Sequence, residues 1–154
     1  MESKYDSLTL KKQLCFPIYL CSKEIIRKYT PLLNELNLTY TQYIVMMYFW
    51  EVEESNLKDL GKTLMLDSST LTPLLKKLEL KGYIERKRSL TDERNLVIKL
   101  TKEGINLRCK AIDIPSKMGK CINLSDSDIK KLYSLIYKVL LNVEENDYEG
   151  KRDK

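Results

Sequence analysis

Two groups of side chains in this 154-residue chain could do chemistry: four cysteines, and a dense run of hydroxyl and basic groups between residues 56 and 101. Histidine is absent, which removes both the usual general base and the commonest metal ligand. Catalytic triads and histidine-based metal sites are therefore excluded. The cysteines, Cys15, Cys21, Cys109 and Cys121, show no C-x-x-C spacing, which argues against structural zinc. Five scattered glycines form no phosphate-binding loop. No metal and no cofactor is expected, and no enzyme. What remains is thiol chemistry, in which the thiolate is the nucleophile. In a reducing cytosol a standing disulfide is rare, so a cysteine that matters there matters transiently. The bland reading of Cys15 and Cys21 is a buried core residue, that of Cys109 a structural or incidental one, and that of Cys121 a chance loop cysteine.

The hydroxyl and basic groups need a helix and a hairpin to position them. Asp67 is a good N-cap and Gly82 a good residue just past a helix end. Between them Leu71, Leu74, Leu75 and Leu78 recur at i, i+3, i+4, i+7, which predicts a helix with one inward apolar face. Its start and opposite face carry Ser68, Ser69, Thr70, Thr72, Lys76 and Lys77. Short hydroxyls can meet base edges in a major groove, and lysines can meet phosphates. An ordinary solvated face would have the same composition. Next, Tyr83–Arg88 and Asn95–Leu100 are β-compatible runs around a polar turn, a hairpin bearing Arg86, Lys87, Arg88 and Arg94. A long cation at a hairpin tip can enter a narrow minor groove, and Asp92 is placed to hold the Arg94 guanidinium. Residues 57–104 hold 11 Lys and Arg against 7 Asp and Glu, whereas the rest of the chain holds 16 against 15. The excess positive charge is concentrated where a polyanion would be met.

The remaining elements follow from capping and periodicity. A first helix is predicted over about 7–28, with Leu14, Cys15, Ile18 and Tyr19 on its apolar stripe; Cys15 and Cys21 stand about 240° apart around it and cannot pair within it. Thr39-x-x-Gln42 is a capping box for a helix over Tyr40–Val52, with Ile44, Met47, Tyr48 and Trp50 as core. Asn56-x-x-Asp59 caps a helix over Leu57–Leu64 that braces the one after Asp67. After the hairpin come a helix over about 102–116 that stops near Pro115, a loop over 116–124, and a last helix from Ser125 to about Glu145. Leu132, Leu135, Ile136, Val139, Leu140 and Val143 make that last helix too apolar to stand alone, so it is expected to pack with the first across a dimer interface. Residues 147–154 are expected to fray. The longest apolar run, Tyr43–Trp50, falls short of the roughly 20 residues of a membrane span, and the N-terminus lacks a signal-peptide core. A cytoplasmic protein with no membrane partner is expected. A formal charge of +5 suits a polyanion without requiring one.

The segment Leu66–Glu79, then Gly82-Tyr83, Asp92-Glu93-Arg94-Asn95 and Leu100-Thr101-x-x-Gly104, resembles the MarR family of winged-helix regulators, including a proline at position 73. The resemblance runs from about Leu8 to Val143. It implies a mainly α fold with a small β-hairpin wing: a single domain over 1–154 with a DNA-binding lobe over about 40–101 and dimerisation helices over about 7–30 and 102–146. It also implies a homodimer on pseudo-palindromic operator double-stranded DNA, with repression as the default.

A second resemblance lies inside the first. Leu14-Cys15-Phe16, Tyr19, Tyr29-x-Pro31-Leu32-Leu33 and Leu38-Thr39-Tyr40-x-Gln42-Tyr43 are similar to the OhrR branch, whose signal is organic hydroperoxide. The match implies that Cys15 is the peroxidatic thiol, that Tyr29 and Tyr40 donate hydrogen bonds to it, and that Tyr19 comes from the partner subunit. Phenolic donors stabilise a thiolate. Pro17 departs from the small or aliphatic residue of the pattern, and its missing amide predicts a bend beside Cys15. Cys121 corresponds to the resolving cysteine of two-cysteine members, which implies a sulfenic acid at Cys15 and then an intersubunit disulfide with Cys121 that releases DNA. The alternatives are a one-cysteine sensor, a regulator released by a small phenolic ligand, and, from a different class, a thiol peroxidase.

Overall fold

The computed structural model describes residues 5–88 and 96–149. It divides into two compact units, Met1–Ile114 and Pro115–Lys154.

In the first unit, short 3-10 turns at Asp6–Leu8 and Leu10–Lys12 precede helix α1, Cys15–Asn34. The expected start near residue 7 is therefore too early. Pro17 falls in the first turn of α1, where an amide has no intrahelical acceptor, so the proline removes nothing the helix needs. At its other end α1 runs past the expected residue 28 and through Pro31, because Leu33, only 1% exposed, is drawn into the core.

Helix α2, Tyr40–Val52, opens with the predicted capping box: Thr39 Oγ1 accepts the Gln42 amide and Gln42 Oε1 accepts the Thr39 amide. It is the hub of the unit, touching α1, the two helices that follow it and the sheet. Its buried apolar residues are Tyr43, Val45, Met46, Phe49 and Trp50, whereas Ile44, Met47 and Tyr48 of the expected core are half-buried. Both flanks of α2 are apolar, so periodicity alone did not decide which flank faces in.

Strand β1, Glu54–Asn56, was not expected. Three residues give no readable alternation, and the strand exists by pairing with β3. Helix α3, Leu57–Leu64, is capped by Asn56, whose side chain accepts the Asp59 amide. Met65 turns the chain in the left-handed region at φ 53°, and helix α4, Ser68–Leu80, begins after Asp67, whose carboxylate accepts the Thr70 amide. Leu71, Leu75 and Leu78 are wholly buried and Leu74 half-buried, as the leucine spacing predicted for three of the four. The helix is continuous through Pro73.

Gly82, at φ +77°, ends the α4 turn and starts strand β2, Ile84–Arg88, which pairs antiparallel with β3, Leu96–Leu100. The sheet order is β1-β3-β2. Helix α5, Lys102–Ala111, follows, with Thr101 as its cap. Trp50 Nε1 donates to the Gly104 carbonyl at 2.9 Å, and a Cβ at Gly104 would run into the Tyr83 carbonyl oxygen.

Helix α6, Ile114–Ile122, replaces the expected loop. Pro115 does not stop a helix there but sits at the second position of a new one, where its missing amide is harmless. Cys121 is thus helical. In the second unit α7, Asp126–Glu149, is opened by Ser125, whose Oγ accepts the Asp128 amide, and it continues beyond the expected Glu145. No helix of the described residues is long and apolar enough to cross a membrane.

Candidate nucleic-acid interface and thiol site

The first two turns of α4 present Ser68, Ser69, Thr70 and Thr72, all exposed, with exposed Lys76 and Lys77 further along. The local hydrogen bonds fix the orientation of two of the hydroxyls. Ser69 Oγ donates to Asp67 Oδ1 at 2.6 Å, and Thr72 Oγ1 donates to the Ser68 carbonyl at 2.7 Å. The Ser69 bond, followed by those from Thr70, holds the Asp67 carboxyl below its usual range, so the cap stays ionised.

The wing cations divide into two kinds. Arg88, at the end of β2, is exposed. Arg86, grouped with it by sequence, is committed elsewhere: its Nε donates to Glu79 Oε2 at 2.8 Å, and its side chain is only 18% exposed. It is a strut between wing and recognition helix, a role invisible in a count of positive charge. Asp92 and Arg94 lie outside the described residues. Lys81, just past α4, was not singled out from the sequence, yet its Nζ donates to the Asn37 carbonyl and to Gln42 Oε1. Burial, and then Lys77, lower its pKa from the ordinary lysine value.

All four cysteines are unpaired and exposed, contrary to the buried-core reading of Cys15 and Cys21. Cys15 is the first residue of α1 and Cys121 the last but one of α6. Tyr19, exposed, stands one turn from Cys15 on the same helix, about 6 Å of rise away. Tyr29 and Tyr40 form a half-buried pair with ring centroids 5.0 Å apart, and Tyr43 joins Tyr29 at 5.9 Å. Burial, and secondarily Tyr40, raise the Tyr29 pKa; burial, then Tyr29 and Tyr40, raise that of Tyr43. Both therefore stay neutral at physiological pH, with a proton to donate. Along α1, however, Tyr29 lies about 21 Å beyond Cys15, further than two side chains can bridge. Within one chain the phenol pair and the thiol are separate.

Two helices leave apolar faces uncovered. On α1, Leu14, Ile18 and Tyr19 are 68%, 46% and 60% exposed. On α7, considered by itself, Leu132, Leu135, Ile136, Val139, Leu140 and Val143 are all exposed, and Tyr133 and Tyr137 stack at 4.5 Å.

The profile of the SarA/Rot transcriptional regulators matches residues 27–110. The chain belongs to the SarA/Rot family of MarR-like winged-helix regulators. Among relatives, this SarA/Rot-family regulator is 46% identical over 140 residues to the organic hydroperoxide resistance transcriptional regulator of Bacillus subtilis strain 168, covering 91% of this chain and 95% of that one. Among solved structures, it is similar to reduced, DNA-bound AbfR of Staphylococcus epidermidis, with a TM-score of 0.76, 31% identity, and 92% and 99% of the two chains covered. It is also similar to disulfide-formed AbfR, with a TM-score of 0.63, 31% identity, and 89% and 96% covered. A transcriptional regulator of the MarR/SarA type accounts for the exposed hydroxyls and lysines of α4, which face outward from a helix anchored by three buried leucines.

Proposed function

We propose that this protein is a dimeric, operator-binding repressor switched by organic hydroperoxide at Cys15. The Cys15 thiolate attacks the peroxide oxygen; the O–O bond breaks, an alcohol leaves, and Cys15 becomes a sulfenic acid. The thiolate at Cys121 of the partner subunit then attacks the Cys15 sulfur, the S–O bond breaks, water leaves after protonation, and a disulfide joins the chains. Ser68, Ser69, Thr70, Thr72, Lys76, Lys77 and Arg88 meet the DNA, joined by Arg94, which with its expected partner Asp92 lies outside the described residues.

The observation that carries this reading is the separation of Cys15 from the Tyr29–Tyr40 pair. An exposed thiol stands at one end of α1, and a phenol pair stands about 21 Å away at the other. Two antiparallel copies of α1 would bring the partner subunit's Tyr29 and the partner subunit's Tyr40 to Cys15 twice over, while each chain's own Tyr19 flanks its own thiol. The uncovered apolar faces of α1 and α7 are what a dimer would cover. Similarity to a hydroperoxide-resistance regulator and to a disulfide-forming AbfR adds support. Closing the disulfide requires Cα atoms about 4.4–6.8 Å apart, so it selects one dimer geometry. Half-sites about 34–36 Å apart then no longer match both recognition helices.

The test is one equivalent of cumene hydroperoxide, followed by a non-reducing gel, intact mass and operator binding, with Cys15→Ser and Cys121→Ser alongside. A covalent dimer with lost DNA binding, absent from both variants, is expected. Operator affinity unchanged after stoichiometric oxidation would sink the reading.

A further inference from the structure

Three hydrogen bonds cross from the end of α4 to the corner joining α1 and α2. Lys81 Nζ donates to the Asn37 carbonyl and, at 2.9 Å, to Gln42 Oε1; the Tyr83 hydroxyl donates to the Leu36 carbonyl at 3.4 Å. Gln42 is 3% exposed, and its Oε1 also takes the Thr39 amide at 3.2 Å. One buried oxygen thus serves both the cap of α2 and the lysine. Asn37 has φ 54°, in the left-handed region that asparagine enters more readily than other non-glycine residues. The same corner carries Tyr40, whose ring rests on Tyr29. At the other end of this connection, Lys81 caps the helix that presents Ser68, Ser69 and Thr72.

We propose that Lys81 is the positioning residue that couples the Tyr29–Tyr40 corner to the recognition helix. This rests on the thiol-switch reading above. An ammonium held by a backbone carbonyl and a buried amide oxygen fixes one seat for the end of α4, and that seat depends on the cap of α2 staying where it is. Both acceptors belong to the α1–α2 corner, so a movement of that corner removes the seat of the ammonium. A displacement of Tyr40 therefore reaches α4 as the loss of discrete bonds, which gives the element two arrangements instead of a graded response.

The test compares wild type, Lys81→Met, which keeps the stem and removes the donors, and Lys81→Arg, which restores donors. For each, the rate of Cys15 oxidation by cumene hydroperoxide and the operator Kd of reduced and oxidised protein are measured. The wild-type ratio of Kd values is expected to be about tenfold or more, and that of Lys81→Met to fall to within about threefold, with the oxidation rate unchanged and Lys81→Arg recovering the wild-type ratio. A merely structural role would shift both Kd values and leave their ratio alone. A wild-type ratio in Lys81→Met, or a loss of thiol oxidation, overturns the inference while leaving the thiol switch standing. A wild-type protein that does not respond overturns the switch itself, and this inference with it. Should Lys81→Met be recovered unfolded, Lys81→Gln takes its place with the same two outcomes.

Discussion

One carboxylate, that of Glu79 on the recognition helix, holds both the side chain and the main chain of Arg86 on the wing: Arg86 Nε donates to Glu79 Oε2 at 2.8 Å and the Arg86 amide to Oε1 at 3.1 Å. The arginine bonds hold the Glu79 carboxyl below its usual range. A depressed folded pKa adds stability that is present above the unfolded value, about 4.3, and is lost as pH falls through the folded one. Arg86→Ala should therefore cost about 1–2 kcal/mol at pH 7, screened because Glu79 is 35% exposed. The gap between variant and wild type should close as the pH is lowered to about 3. Urea unfolding at the two pH values measures this, and an equal gap at both would remove the carboxylate as its source.

Gly104 is a packing requirement. A methyl group there would meet the Tyr83 carbonyl and come within 2.9 Å of a Leu100 methyl. Gly104→Ala should thus destabilise by about 3 kcal/mol or more, visible as a lower urea midpoint at unchanged slope. A midpoint within error of wild type would mean that α5 can slide away from the sheet.

Tyr29→Phe and Tyr40→Phe remove one hydroxyl each and leave the contact between the two tilted rings. If the partner subunit's phenols serve the thiolate, Cys15 oxidation at pH 7 should slow by about tenfold to a hundredfold in either variant, the worth of a hydrogen bond to a charged group. Stopped-flow oxidation by cumene hydroperoxide gives the rate. Melting temperatures close to wild type would separate this effect from lost packing.

Lys76 and Lys77 stand on the exposed side of α4 without a recorded acidic partner among the described ion pairs. Replacing either by alanine should weaken operator and unrelated DNA alike, and lower the slope of log affinity against log salt by about 0.9 for each phosphate contact removed. A titration across salt concentrations decides: loss of operator preference with an unchanged slope would assign the lysine to bases.

What the sequence disclosed was local. Thr39 with Gln42, Asn56 with Asp59, Asp67, and Ser125 with Asp128 each announce a helix start within four residues, and all four act as caps. Gly82 announces its turn because its φ of +77° favours glycine. What stayed hidden depends on partners distant in sequence. β1 is made by β3, more than 40 residues later. Lys81 is placed by Asn37 and Gln42, and Arg86 is occupied by a glutamate that a charge count treats only as a subtraction. Pro17 and Pro115 misled in the same way: a proline marks a helix start as readily as a stop, and only the neighbouring packing tells which. The candidate thiol and its tyrosines could be named from the resemblance, and the rise of α1 adds that no single chain brings them together.

The two bonds that fix Ser69 and Thr72 have a consequence for the language in which this helix reads. A hydroxyl has one proton, and each of these two has given it away, to Asp67 and to the Ser68 carbonyl. While those bonds hold, both oxygens would offer only lone pairs to a major groove that α4 enters as proposed. Their complements on base edges are amino groups, the N6 amine of adenine and the N4 amine of cytosine, while the O6 and N7 of guanine are left to lysine and arginine. Asp67 begins the helix, and by accepting the Ser69 hydroxyl as an ionised carboxylate it also sets the grammatical mood of its neighbour: the hydroxyl can ask for a hydrogen but cannot give one.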